Sequence, residues 1–374
     1  MFAEKLYRHA IDRINGRFMS GWSFHRIFTT RPVVVRVTAD RHELGVFTCR
    51  DYRRDLKEQR LHPTGCCGFD FSFPADFDPS RHGVLHLYFD SCTRPLVSID
   101  CRELALLRPV SGRPIFFMHI PKTAGTSFNA FARQCFAGDE YFTHIERLPP
   151  QQRRQVLPRA RYLSGHLPWR EIVEILEPGH YDLYAILREP VAHLHSHLNY
   201  VRLVHSDAEH EQHFPYRHNE TIRALGGRLA TVDFQDEEQI RRFVAELSGY
   251  QLDFFDNVQT RYFLDHRPER VTEMDYLQAV QAIERFTAIG LTEHYDRFRD
   301  RFCRNLGLPA QQQTLRSNRS QRYRLFDFDN PVTRKIIDPL VCFDRRLYDL
   351  IADREKRQAS NDGSIDAANG VLRC

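Results

Sequence analysis

The sequence predicts an all-β module followed by an α/β domain built on a parallel sheet. Two observations carry this. Over residues 1–110, short runs alternate apolar and polar residues between turn signals, the pattern of strands with one buried face. Beyond them, apolar runs of strand length alternate with stretches of helical periodicity, as in a parallel sheet covered by helices.

Taken in order, 33–38 is a β-branched run, and 44–49 follows a turn at Asp40-Arg41-His42. Phe69, Phe71 and Phe73 alternate with Asp70 and Ser72, and Leu85, Leu87 and Phe89 repeat the pattern. A last strand is expected over 95–99. Short strands at this spacing predict a small sandwich. Pro and Gly make 107–114 a linker. Strands are then expected at 115–120, 181–187 and 286–291, each followed by a helix: 127–136, 191–203 and 293–306. The residues after Arg357 are small and polar and read as a disordered tail. The predicted organisation is a β-sandwich module over 1–110, an α/β domain over 111–357, and a tail over 358–374.

The formal charge of +4 is too small to point to a nucleic-acid partner. There are 48 Arg but only 5 Lys, so Lys122 is one of few. The 9 cysteines are scattered and contain no Cys-x-x-Cys, which predicts reduced structural thiols rather than a disulfide framework or zinc ribbon. No run approaches the roughly 18 apolar residues of a membrane helix, and 1–15 lacks a signal-peptide core.

The strongest feature is Phe116-Phe117-Met118-His119-Ile120-Pro121-Lys122-Thr123-Ala124-Gly125-Thr126-Ser127-Phe128. A buried strand runs through a loop of small residues into a helix, whose first N–H groups and partial positive charge suit a phosphate-like anion. Gly125 is expected to admit a close approach to the ligand. Thr123, Thr126 and Ser127 offer hydroxyls, and Lys122 a mobile charge. In a Walker A loop Lys directly follows Gly; here it precedes Gly by three residues.

This string closely resembles the 5′-phosphosulfate loop of sulfotransferases, whose donor is 3′-phosphoadenosine 5′-phosphosulfate (PAPS). The resemblance spans roughly residues 113–350 and implies a P-loop-like fold, with Lys122, Thr123, Ala124, Gly125, Thr126 and Ser127 binding the donor. A second segment, Tyr184-Ala185-Ile186-Leu187-Arg188-Glu189-Pro190-Val191, ends a strand on an arginine and opens a helix at a proline. Arg188 can grip a phosphate bidentately, and Ser196 stands eight residues on, the spacing of that family's 3′-phosphate motif. Glu189, His193 and Leu198 depart from the carbohydrate branch, which usually has Asp, Arg and an aromatic there.

Transfer to a hydroxyl needs a base, and His166 in Ser164-Gly165-His166 is the candidate. It resembles the Gly-His of sulfotransferases related to heparan sulfate 2-O-sulfotransferase. His119 and Glu189 are the runners-up, Glu189 being expected to orient Arg188 or Lys122. Alternating His193, His195 and His197 put only His193 and His197 on one helix face, with no acidic residue to complete a zinc set, so no metal ligands are assigned. Asn257-Val258-Gln259-Thr260-Arg261-Tyr262-Phe263-Leu264 and Gly290-Leu291-Thr292-Glu293-His294-Tyr295 resemble later blocks of bacterial members, which implies acceptor contact or cleft scaffolding, and Arg319 lies where the family closes over the adenosine. Gly21-Trp22, Arg53-Arg54-Asp55-Leu56 and Gly68-Phe69-Asp70-Phe71-Ser72-Phe73-Pro74 resemble a β-module found beside bacterial glycosyltransferase and sulfotransferase domains.

Together these imply a bacterial-type enzyme that moves a sulfuryl group from PAPS to a carbohydrate or glycolipid hydroxyl, without a required metal. It would act in the cytoplasm or at the inner face of the membrane, with homo-oligomerisation left open. The alternatives are a nucleotide-dependent kinase or NTPase on a related fold, and a non-catalytic glycan-binding protein.

Overall fold

A computed structural model describes residues 6–74, 76–104, 112–206, 220–308, 325–327 and 330–370. Arg319 and most of the expected linker lie outside the described residues. The chain forms two compact units. The first comprises Met1–Val110 joined by Ala130–Phe142 and Val156–Arg161; the second comprises Ser111–Asn129, Thr143–Gln155 and Tyr162–Cys374. The organisation expected from sequence, 1–110, 111–357 and 358–374, contains neither of the two later segments that join the first unit.

The first unit holds two antiparallel sheets. One runs in the order β1 (Tyr7–Ile14), β2 (Phe18–His25), β6 (Cys66–Ser72), β5 (Asp51–Tyr52). The other runs β4 (His42–Cys49), β3 (Val33–Ala39), β7 (Val84–Phe89), β8 (Val97–Asp100). Met19 and Phe69 from the first sheet and Val35, Val37, Leu85, Leu87 and Phe89 from the second share one apolar cluster. Arg53 pairs with Asp12 at 2.5 Å and takes Asp55 in a fork at 2.9 and 2.7 Å, so the Arg-Arg-Asp segment acts as a brace.

In the second unit, β9 (Ile115–Met118), β11 (Tyr162–Gly165), β12 (Asp182–Leu187) and β13 (Ala288–Leu291) are parallel. They lie side by side in the order β11-β9-β12-β13. β10 (Tyr141–Phe142) precedes β11 in the chain. All residues of β9, β11 and β13 are buried, as expected of strands covered on both faces. Phe128, on the helix Gly125–Ala132, packs 4.6 Å from Phe117 of β9 and 5.0 Å from Phe298 and Phe302. That contact seats the helix on the sheet. Because the strands are parallel, His119, His166 and Arg188 all follow strand C-terminal ends, the side on which open α/β sheets place ligands.

The expected helices at 127–136, 191–203 and 293–306 form as Gly125–Ala132, Pro190–Ser206 and Tyr295–Asn305. The last helix, Cys342–Gly370, runs past the boundary that sequence set at Arg357, so the tail expected to be disordered is helical as far as Gly370. Among the described residues no helix is long and apolar enough to cross a membrane, and the eight described cysteines are thiols rather than disulfides.

Candidate anion-binding site

The loop after β9 is held by its carbonyls. Four in succession accept a side-chain donor. His166 Nδ1 lies 2.6 Å from the His119 carbonyl, and Thr123 Oγ1 lies 2.9 Å from that of Ile120. His193 Nε2 lies 2.8 Å from the Pro121 carbonyl, and the Arg188 guanidinium lies 3.1 Å from that of Lys122. A carbonyl can only accept, so His166 carries its proton on Nδ1 and His193 on Nε2. In a planar trans peptide the N–H points opposite to the C=O. The N–H groups of Lys122 and Thr123 therefore face away from His193 and Arg188.

Lys122 (φ 67) and Ala124 (φ 68) both sit in the left-handed region. Non-glycine residues pay about 1–2 kcal/mol each for that, and the four carbonyl bonds hold them there. The loop therefore has left-handed residues of the kind that curl successive N–H groups toward an anion. It leads into the first turn of Gly125–Ala132, whose N–H groups lack partners within the helix. Lys122 extends over the Tyr200 ring, 5.0 Å from its centroid. Burial, and then the neighbouring Arg188, hold its ammonium below the ordinary lysine range.

Two loop residues act differently from the sequence expectation. Thr123 is fully buried and its hydroxyl donates to Ile120, so it staples the loop and has no proton left for a ligand. Gly125 makes room for the His119 ring rather than for a ligand. A Cβ there would stand 2.0 Å from His119 Cδ2 and 2.4 Å from Nε2. Thr126 is exposed and Ser127 half-buried on the helix's first turn.

His166 sits beside two other imidazoles, with ring centroids 4.2 Å from His119 and 5.2 Å from His144. Its N–H donates to Glu146 at 3.2 Å, and the other Glu146 oxygen accepts from His144 Nδ1 at 3.2 Å. A Cβ on Gly165 would lie 2.6 Å from that carboxylate, so the glycine of the Gly-His pair lets Glu146 in. Burial, only partly opposed by Glu146, pushes His166 down to about 4. Burial also drives His119 well below its usual value. His166 is thus neutral, and its Nε2 presents a lone pair.

Arg188 is fixed at its backbone by Gln259, which accepts from the Arg188 N–H at 2.8 Å and donates to its carbonyl at 2.9 Å. Gln259 is placed in turn by buried Asp344, which accepts from the N–H groups of Gln259 (3.1 Å) and Thr260 (2.7 Å). The block around Asn257 is therefore scaffold for the arginine. Thr292 likewise donates to the Leu187 carbonyl at 3.1 Å, and Glu293 accepts from the Glu189 N–H at 3.2 Å. Glu189 does not orient Arg188 or Lys122. Its carboxylate caps the helix Pro190–Ser206, accepting from Val191 and Ala192 at 3.2 and 2.7 Å. Ser196 lies half-buried on that helix.

His193 clamps the Pro121 carbonyl through Nε2, and its spacing from His197 brings no third ligand with it among the described residues. The ring nitrogens that do cluster, all within 4.8 Å of one another, belong to His119, His144 and His166. Sequence reasoning missed His144 and Glu146, neither of which carries a local motif, whereas Gln259 lies in a block that the sequence had singled out. A cavity of about 600 Å³ opens beside the start of Pro190–Ser206, lined by Glu189, Ala192, Arg334, Lys335 and Arg345 but not by Lys122 or His166. No family model, curated protein or solved structure matches the chain.

Proposed function

We propose that the protein is a PAPS-dependent sulfotransferase whose acceptor is a carbohydrate hydroxyl. One observation carries the reading: the Arg188 guanidinium bonds the Lys122 carbonyl, so the two motifs read as donor anchors converge at the ends of neighbouring strands. The loop N–H groups, Lys122 and the Thr126 and Ser127 hydroxyls would hold the 5′-phosphosulfate. Arg188, with Ser196, would hold the 3′-phosphate that separates PAPS from ATP.

In the proposed reaction the acceptor oxygen attacks sulfur in line with the leaving phosphate oxygen. A new S–O bond forms as the bond to phosphate breaks, and the acceptor proton passes to His166 Nε2. Lys122 and the loop N–H groups stabilise charge on the sulfuryl and leaving oxygens. Each step uses side chains and backbone of this chain alone. The sugar class rests on the histidine base and on the resemblance of the N-terminal module.

The test is transfer from labelled PAPS to a panel of glycans, beside calorimetric binding of 3′-phosphoadenosine 5′-phosphate. Transfer is expected for the native chain and its loss for Lys122→Ala. Failure to bind the bisphosphate would overturn the reading, as would phosphoryl transfer from magnesium ATP.

A further inference from the structure

We propose that His119, His144 and His166 form a binding site for a zinc-class divalent ion. Three imidazoles bring one ligand nitrogen each to within 4.8 Å of one another. Around tetrahedral zinc, with Zn–N near 2.0–2.1 Å, neighbouring ligand atoms stand about 3.3 Å apart. The rings therefore need to close by no more than about 1.5 Å.

The surroundings match those of bound histidines. A metal-ligating imidazole usually donates its second nitrogen to a carboxylate or backbone carbonyl, which fixes the tautomer and aims the lone pair. His144 Nδ1 has the Glu146 carboxylate at 3.2 Å, and His166 Nδ1 has the His119 carbonyl at 2.6 Å. Each ring then has Nε2 left to offer as a ligand atom. The third ring supplies an independent sign. His119 is only 4% exposed, and its Nδ1 is buried with no hydrogen-bond partner. A buried polar atom without a partner, on a ring that brings a nitrogen within 4.8 Å of two other imidazoles, points to a missing ligand. His144 itself is held in the left-handed region at φ 54, a conformation that persists only where surrounding structure imposes it.

Three imidazoles leave a fourth position open to water or an exchangeable ligand. The neighbouring charges are Glu146, Arg147 at 3.7 Å from that carboxylate, and Lys122. Glu146 is the one negative group among them, so it stabilises the ion. A consequence rests on the sulfotransferase reading: His166 Nε2 is also the atom assigned to take the acceptor proton, so a bound ion would block transfer.

The test is a Co²⁺ titration of the full chelator-treated chain, followed by its visible ligand-field bands and by competition with Zn²⁺. One equivalent is expected to give tetrahedral bands that Zn²⁺ abolishes. His144→Asn keeps a residue that tolerates the left-handed backbone and is expected to remove the bands. Glu146→Gln leaves all three ligands and is expected to weaken binding by about 10–100-fold. His266→Ala, at an exposed histidine, is the control. Absence of bands in the native chain, or bands unchanged in both site variants, would overturn the site. The readout uses no PAPS, so its failure leaves the transfer assay standing, and failed transfer leaves the bands standing.

Discussion

Gly125→Ala is the sharpest probe of the loop, because Gly125 lies outside the left-handed region and only space forbids a side chain. The added methyl would meet His119 Cδ2 at 2.0 Å and Nε2 at 2.4 Å, far inside contact distance. The ring cannot swing freely, since it is buried and its centroid lies 4.2 Å from that of the tilted His166 ring. Overpacking of this kind costs about 1–3 kcal/mol. Alanine's helix propensity returns at most about 1 kcal/mol, and less in a first turn. Urea denaturation of the single variant should therefore show a net loss of about 1–2 kcal/mol. The decisive measurement is the double-mutant cycle. In a His119→Ala background the obstacle is gone, so Gly125→Ala should become neutral or slightly stabilising. A coupling energy of about 1–3 kcal/mol is expected. Strict additivity of the two substitutions would refute the packing argument, whatever the protein binds.

Three further outcomes follow from the same contacts. Burial chiefly pushes His193 down to about 4, while an unfolded histidine sits near 6.5. Between those values the unfolded chain binds the extra proton, so stability is complete above about pH 6.5 and is lost as pH falls, by up to about 3 kcal/mol; denaturation at stepped pH should show that slope, and His193→Gln should flatten it, an unchanged slope counting against the clamp. Lys122, held below the ordinary lysine range, should lose its charge early on the alkaline side; affinity for 3′-phosphoadenosine 5′-phosphate should fall before an ordinary lysine would titrate, and flat affinity up to about pH 10 would contradict this. Gly165→Ala would push Glu146 off the His166 N–H and leave a half-buried donor unpaired, at a cost of about 1 kcal/mol that a thermal melt can read.

β9, β12 and β13 were legible because parallel strands buried on both faces are continuous apolar runs, and Ile115-Phe116-Phe117-Met118 could be little else; β11, only four residues long and broken by Ser164, was not among the expected strands. β1 was not legible. Of Tyr7–Ile14 only Tyr7 is buried, and Arg8, Asp12 and Arg13 break the alternation, as an edge strand tolerates. In the site, the cationic and hydroxyl side chains could be named in advance, since their chemistry is written in their types. The loop's carbonyl bonds could not be. Every residue offers the same acceptor, and the donors come from far along the chain, His166 by 47 positions and His193 by 72. Thr123 shows the consequence. A hydroxyl in an anion loop reads as a ligand, and only burial against the Ile120 carbonyl shows it to be a staple.

That same accounting sharpens what Arg188 is for. If the position needed only charge, a lysine would serve; the contacts demand a fork. The guanidinium holds the Lys122 carbonyl at 3.1 Å while its own backbone is pinned from both sides by Gln259. Five donors spread over a plane can bond that carbonyl and still turn a pair toward a phosphate. An ammonium carries three donors on one atom and cannot serve two acceptors that lie in different directions. Arg188→Lys should therefore damage the protein in two separable ways. The left-handed backbone at Lys122 loses one of its four ties, which a melting curve reports without any ligand. The proposed 3′-phosphate contact loses its bidentate grip, a charge-assisted loss of about 1.5–3 kcal/mol per bond. If 3′-phosphate affinity drops while the melt stays fixed, Arg188 binds but does not brace. If the melt falls and the preference for the 3′-phosphorylated nucleotide over its 3′-hydroxyl analogue survives, the arginine is scaffold, and the second donor anchor must be sought elsewhere.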